Sequence, residues 1–135
     1  PAHRDDNRWL HRPAMDWELA RRRTEPGTVT QRIFSALVAL AEARRRTPQL
    51  HAATPVEVVD FQQPQLFAFM RRHPLGTLLA VHNVTEQPQQ ASPMALYLVG
   101  HDQPVDQITG QPARVDQGQV VLDPYQAVWL TAPGV

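Results

Sequence analysis

The feature that most constrains the fold of this chain is a change in the period of its apolar residues, which falls near residues 48–51. Before this point, apolar residues recur at the spacing of amphipathic helices. After it, they come in short runs separated by proline, glycine and glutamine. This order predicts a helical segment, residues 1–50, followed by an antiparallel β domain, residues 51–135.

Two helices are predicted in the first region. One covers residues 13–23, with Pro13 at its first position. The other begins at Thr28, because Thr28 with Gln31 three residues later is typical of a capping box. Its apolar stripe consists of Val29, Ile33, Phe34, Leu37, Leu40 and Ala41. Two helices with such broad apolar faces cannot bury them alone, so we expect a further part of the protein to pack there.

The second region predicts an antiparallel β-sandwich of short strands. Residues 77–81 are apolar without alternation, which predicts a central strand covered on both faces. The predicted strands cover residues 56–60, 66–71, 77–84, 96–99, 119–122 and 127–131, with weaker candidates at 89–92 and 113–115.

Composition excludes several classes of function. The net charge is zero at pH 7, so no global field favours nucleic acid or an anionic membrane as a partner. The chain has no cysteine, which excludes disulfides and thiolate metal sites. No apolar run is long enough to span a bilayer. The lack of cysteine and of a visible signal peptide favours a cytoplasmic location, and no cofactor is expected.

Charge and aromatic side chains are concentrated near the start of the chain. Residues 3–17 contain three arginines, two histidines and two of the three tryptophans, without a regular period in the first part. Such a loop either contacts a ligand or is a solvated lead-in to the helix, and the residues alone leave both open. Asp5 and Asp6 are adjacent and point opposite ways in an extended segment, so they are expected to pair with Arg4 or Arg8.

The remaining motifs favour structural roles. His3 and His11 lack a third ligand at a zinc-like spacing, so no metal site is predicted. Arg44, Arg45 and Arg46 are expected to be a solvated last helical turn rather than a nucleic-acid contact. His101-Asp102 is expected to be a solvated turn, and Trp129 with Tyr125 to belong to the core. Neither a nucleophile elbow, a phosphate-binding glycine loop nor a His-Glu-x-x-His motif is present.

Four stretches of the chain, taken in order, resemble the C-terminal end of amylosucrases, which are sucrose-using glucosyltransferases of glycoside hydrolase family 13. The first is the charged loop with the Pro26-Gly27-Thr28 turn that follows it. The stretches are Asp5-Asp6-Asn7-Arg8-Trp9-Leu10-His11-Arg12-Pro13, Ala41-Glu42-Ala43-Arg44 to Pro48, Asn83-Val84-Thr85-Glu86-Gln87-Pro88-Gln89 and Leu122-Asp123-Pro124-Tyr125-Gln126-Ala127-Val128-Trp129-Leu130.

The resemblance implies that residues 1–50 are the last βα-loop and final helix of a (β/α)₈ barrel, and residues 51–135 the C-terminal β domain. Barrel active sites lie in the loops after the strands, so the charged loop would be at the site. Arg8 matches the arginine of the family's Asp-Asp-x-Arg-Trp motif, which closes the donor-sugar pocket. Asp5, Asp6 and Trp9 would support that loop.

The implied reaction is retaining transfer of glucose from sucrose to an α-1,4-glucan, with release of fructose. Its aspartate nucleophile and glutamic acid/base would lie upstream, so the chain alone should be inactive. The implied partners are sucrose, the glucan acceptor and the upstream barrel portion of the same protein. Two alternatives remain: a sucrose hydrolase on the same scaffold, and a non-catalytic β-sandwich module that binds glycan or stabilises its host.

Overall fold

The computed structural model describes residues 14–134. The chain divides into two compact units, one up to Val38 and one from Ala39 onward. This division falls inside the longest helix of the described residues.

The first helix among the described residues is α1 (Trp17–Arg21), which continues into the 3₁₀ turn Arg22–Thr24. The carboxylate of Asp16 accepts a hydrogen bond of 2.9 Å from the Leu19 amide and so caps the helix. The predicted helix at residues 13–23 therefore starts too early, because Asp16 rather than Pro13 sets its beginning. Pro13 itself lies outside the described residues.

Helix α2 (Val29–Arg46) begins where its capping residues predict. The Gln31 amide donates to Thr28 Oγ1 at 3.1 Å, which confirms Thr28 as the cap. The Gln31 side chain donates to Ser35 Oγ at 2.9 Å, so the return half of a capping box is not formed. Three exposed arginines occupy the last turn, which confirms the prediction of a solvated end.

Among its described residues, the second unit contains the end of α2, a third helix and nine short strands. The strands build two antiparallel sheets, one with the order β1-β2-β3-β9-β5-β6 and one with the order β4-β8-β7. The strands are β1 (Glu57–Val59), β2 (Leu66–His73), β3 (Gly76–Asn83), β4 (Gln89–Ala91), β5 (Val105–Asp106), β6 (Gln111–Pro112), β7 (Val115–Asp116), β8 (Gln119–Leu122) and β9 (Ala127–Thr131). The predicted antiparallel β domain is confirmed.

The main core of this unit lies where the two sheets and helix α3 (Met94–Val99) meet. Alternation decides which strand residues contribute to it, because Leu79 pairs with Leu130 and Val81 with Val128 on the same face. Its completely buried members are Leu79, Val81, Ala91, Ala95, Val120, Leu122 and Leu130.

Strand β3 is covered on both faces, as its unbroken apolar run predicts. Leu79 and Val81 face the main core, whereas Leu78 and Ala80 face the opposite side. There the 3₁₀ turn Pro48–Leu50 lies against the sheet, with Leu50 packed on Leu78 and Ala80. We refer to this side of the six-stranded sheet as the outer face.

The predicted strand at residues 96–99 is wrong, because this segment is helix α3. The Ala95 amide donates to the Ser92 carbonyl at 2.8 Å, which starts the turn. Gly100 ends it in the left-handed conformation at φ +75°, and its amide donates to the Leu96 carbonyl at 2.8 Å. Six apolar residues are too few for their period to distinguish a helix from a strand.

The weak strand predicted at 113–115 is a crossing between sheets. Strand β6 ends at Pro112 in the larger sheet, and β7 begins at Val115 in the smaller one. The two-residue strand β5 was not predicted. It depends on buried Asp106, whose carboxylate accepts hydrogen bonds from the amides of Ile108 and Trp129 and from Thr109 Oγ1.

Candidate functional site

Four residues predicted for the donor-sugar pocket and its supporting loop lie outside the described residues. These are Arg8, Asp5, Asp6 and Trp9. Their roles stay predictions. The described residues offer four features with functional potential: an apolar helix surface, a pair of joined loops, the outer face of the larger sheet and a recess beside helix α3.

The large apolar side chains of α1 and α2 are exposed in this chain. Trp17 of α1 exposes 67% of its surface, and Val29 and Leu37 of α2 expose 66% and 60%. The guanidinium of Arg23 lies 5.5 Å from the centroid of the Phe34 ring, a cation–π contact within the first unit. Apolar residues repeated along one helix face and left in water are typical of an interaction surface.

Two loops that carry family-like motifs are joined by one side chain. Asn83 is almost completely buried at the end of β3. Its Nδ2 donates to the Gln87 carbonyl at 2.7 Å and to the Asp123 carbonyl at 2.9 Å. Its Oδ1 accepts from the Thr85 amide at 3.0 Å and from Thr85 Oγ1 at 2.7 Å. Both polar atoms of the Asn83 side chain therefore bond within the protein, so Asn83 organises the loops and does not offer a ligand contact.

Tyr125 lies in the second of these loops in a backbone conformation unusual for its residue type. The Gln126 amide donates to the Asp123 carbonyl at 3.1 Å, and Tyr125 has φ +56° after Pro124. This is the pattern of a type II turn, whose third position favours glycine or asparagine. The Tyr125 side chain is 70% exposed, so the prediction that it belongs to the core is wrong.

The outer face of the six-stranded sheet carries an aromatic cluster. The rings of Phe67, Phe69 and His82 lie with centroids 5.8 to 6.1 Å apart. Burial lowers the pKa of His82 below its usual value, because desolvation disfavours the imidazolium. Trp129 packs beside Leu50, Leu78 and Ala80, which supports its predicted packing role.

Three buried nitrogens have no hydrogen-bond partner among the described residues. They are Gln49 Nε2, Arg71 Nε and His82 Nε2. Gln49 belongs to the 3₁₀ turn that covers the outer face, and register puts Arg71 and His82 on the same face of β2 and β3. Buried polar groups normally have a partner. Their grouping marks the outer face as the side of this unit with unmet hydrogen-bonding capacity.

His101 and Asp102 follow helix α3 and are both exposed, as predicted for a solvated turn. Together with Tyr97 they line an open recess of about 650 Å³ beside the helix. The prediction of a strand at 96–99 concealed this arrangement. The flanking Pro93 and Gly100 were the signals that could have revealed a helix, and with it Tyr97 on the outward side.

Metal and membrane features are absent from the part of the chain that the structure describes. Within residues 14–134, no three histidine, aspartate or glutamate side chains are grouped so that they could hold a metal ion. No helix in this range is long and apolar enough to cross a bilayer.

Comparison with known proteins gives a family match and a set of similar folds. Residues 57–131 match the family model described as the C-terminal domain of amylosucrase, a span that begins with β1 and ends with β9. A crystal structure of AmyP E221Q in complex with maltotriose matches with a TM-score of 0.60 and 18% identity, over 78% of this chain and 22% of that one.

Two further structures are similar in fold. AmyP in complex with maltose gives a TM-score of 0.58 at 19% identity, over 80% of this chain and 22% of that one. An Anoxybacillus α-amylase gives a TM-score of 0.53 at 18% identity, over 77% of this chain and 23% of that one. The chain therefore spans between a fifth and a quarter of the length of these structures.

Proposed function

This chain belongs to the amylosucrase C-terminal domain family, and from that membership we propose that its parent is a retaining α-glucosyltransferase of glycoside hydrolase family 13. The parent would transfer glucose from sucrose to an α-1,4-glucan and release fructose. The observation that carries this proposal is the family match from the first residue of β1 to the last residue of β9. The maltotriose and maltose bound to AmyP support a glucan as the class of ligand.

The proposed domain organisation follows the two periods of the sequence. Residues 1–50 would be the last βα-loop and final helix of the catalytic barrel, and residues 51–135 its C-terminal β domain. The exposed apolar side chains of α1 and α2 support this assignment, because outer barrel helices bury one face against the barrel strands. The upstream barrel portion of the same protein is then the partner that covers them.

Arg8 is the proposed contact with the donor sugar. Its planar guanidinium can form two parallel hydrogen bonds with a carboxylate, which makes it suited to pairing with a barrel aspartate at the closed end of the pocket. Asp5, Asp6 and Trp9 would hold the loop that presents it. The resemblance to amylosucrases, and not the described geometry, supports these roles.

The reaction itself would use groups from the upstream barrel. In retaining transfer, an aspartate attacks the glucosyl carbon while a glutamic acid protonates the departing fructose oxygen. A glucan 4-hydroxyl then takes the glucosyl group, or water takes it in the hydrolytic side reaction. Asp5 and Asp6 are not assigned to either role, and the 135-residue chain alone should release no fructose from sucrose.

The proposal can be tested by substituting Arg8 in the full-length protein. If Arg8 is in a buried ion pair, Arg8→Ala costs about 3–5 kcal/mol, which lowers kcat/KM for sucrose by about two to four decades. Arg22→Ala is the matched control, because the Arg22 side chain forms an exposed salt bridge of 3.0 Å with Glu25, and such a pair contributes little to stability. Unchanged sucrose turnover in Arg8→Ala, or an equal loss in the control, would contradict the assignment.

A further inference from the structure

The recess beside helix α3 combines one aromatic ring with two exposed polar side chains. Leu96 and Gly118 contribute to its lining, and Tyr97, His101 and Asp102 stand around it. Gly118 belongs to the turn between β7 and β8, so two separate parts of the domain form the recess. None of its lining residues is lysine or arginine.

Helix α3 presents Tyr97 to solvent, although three of its six residues are buried. Ala95, Leu96 and Val99 pack into the core, whereas Met94 and Tyr97 lie three residues apart on the outward side. The outward side of a surface helix is ordinarily polar. Here Tyr97 exposes 84% of its surface. The ring is thus available to a ligand without any change in the fold.

His101 and Asp102 offer a hydrogen-bond donor next to an acceptor. His101 Nδ1 accepts from the Gln103 amide at 3.0 Å, so the proton of the neutral ring is on Nε2, which can donate outward. The exposed carboxylate of Asp102 can only accept. Adjacent sugar hydroxyls both donate and accept, so this pair matches two neighbouring hydroxyls of one pyranose ring.

We propose that this recess is a surface binding site for an α-glucan chain, with one glucosyl unit against Tyr97 and its hydroxyls at His101 and Asp102. The C–H groups of a pyranose face are weakly polar and pack on an aromatic ring. The choice of glucan as the sugar polymer rests on the proposed function. A nucleic acid would also offer rings for stacking, but Asp102 repels its phosphates and no lysine or arginine in the lining offsets this repulsion.

Such a site would raise the local concentration of acceptor. A glucan held at one point by the β domain stays attached to the enzyme, so a contact of the same glucan chain with the transfer site becomes an intramolecular event if the chain is long enough to reach it. The effect grows with chain length, because short oligosaccharides cannot reach both sites. We therefore expect this recess to matter for polymeric glucan and not for sucrose.

The test is affinity electrophoresis of the full-length protein in gels that contain amylopectin. Tyr97→Ala should raise the dissociation constant at least about fivefold, since truncating a central aromatic contact typically has this effect or more. Tyr97→Phe should keep most of the affinity because it keeps the ring. Tyr125→Ala is the matched control, a similarly exposed tyrosine that does not line the recess.

Retention of Tyr97→Ala equal to that of the wild type, or the same loss in Tyr125→Ala, would overturn the proposal. Fructose release from sucrose, measured without added glucan, separates this inference from the proposed function. Tyr97→Ala should leave that release unchanged. A wild-type protein that binds amylopectin through Tyr97 but releases no fructose would support the site and contradict the sucrose reaction.

Discussion

The side-chain nitrogen of Asn83 donates a hydrogen bond of 2.9 Å to the main-chain oxygen of Asp123, forty positions away in the sequence. The same nitrogen donates to Gln87 at 2.7 Å, and the main-chain amide of Asn83 donates to Gln126 at 2.9 Å. One buried carboxamide therefore joins the loop after β3 to the turn before β9. The two loops share a single hydrogen-bonding unit.

Replacing Asn83 with aspartate should destabilise the protein by about 2–4 kcal/mol. The shape is nearly unchanged, but the group facing the carbonyls of Gln87 and Asp123 can no longer donate, so both acceptors lose their partner. The loss is measurable by chemical unfolding. Gln90→Glu makes the same chemical change at an exposed position of β4 and should cost little. An unchanged free energy of unfolding in Asn83→Asp would refute the linking role of Asn83.

His82 should make stability depend on pH in a defined direction. Burial lowers its pKa in the folded state, so the unfolded chain binds the proton more readily. Above about pH 6.5, the ordinary histidine pKa, His82 is neutral in both states and the free energy of unfolding has its full value. The free energy of unfolding decreases as the pH falls from there toward the lowered pKa of the folded state.

The His82→Phe variant tests this dependence, because it keeps an aromatic ring beside Phe67 and Phe69 and removes both the titration and the unpaired buried Nε2. Its unfolding free energy should decrease less between pH 7.5 and 5.5 than that of the wild type. Identical pH dependence in wild type and His82→Phe would contradict the account.

Gly100→Ala should cost about 1–2 kcal/mol, the strain of a Cβ in the left-handed conformation. An added Cβ meets no atom within 4 Å, so steric overlap with neighbouring elements contributes nothing. Gly100→Asn should cost less, because asparagine tolerates this conformation. Thermal unfolding of both variants tests the prediction, and equal losses in Gly100→Ala and Gly100→Asn would contradict backbone strain as the cause.

The Leu37→Asp variant tests whether a barrel covers the apolar surface of α2 in the full-length protein. In the 135-residue chain Leu37 is 60% exposed, so Leu37→Asp should change the unfolding free energy by no more than about 0.5 kcal/mol. In the full-length protein the proposed barrel contact would bury the carboxylate, and stability should fall by several times that amount. Leu75→Asp, in the exposed β2–β3 turn, should be mild in both proteins. Equal effects of Leu37→Asp in both would contradict the proposed packing.

The residues that predict the fold well are those whose signals are local. Strands β8 and β9 agree with prediction to the residue, because each is a run of Val, Leu or Trp between clear turn residues. The unbroken apolar run also predicts that both faces of β3 are covered, and Leu78 and Leu79 on opposite faces are both buried. Thr28 was identified as a cap from residue type and spacing alone.

The residues that sequence reasoning missed depend on contacts between distant parts of the chain. The two-residue strand β5 exists because the carboxylate of Asp106 accepts a hydrogen bond from the amide of Trp129, 23 positions away. The exposure of Tyr125 follows from a turn that propensity alone would give to glycine. Tyr97 was hidden by the ambiguity of a short apolar run. Of the predicted donor pocket, Arg8 lies outside the described residues and stays a prediction.

The most direct test of the proposed function is to incubate the full-length protein with sucrose as the only sugar and to identify the products. Release of fructose, with most of the glucose recovered in an α-1,4-glucan, is the predicted result. Equal amounts of free glucose and fructose without polymer would identify the alternative sucrose hydrolase. Sucrose left intact, with no fructose formed, would contradict the account.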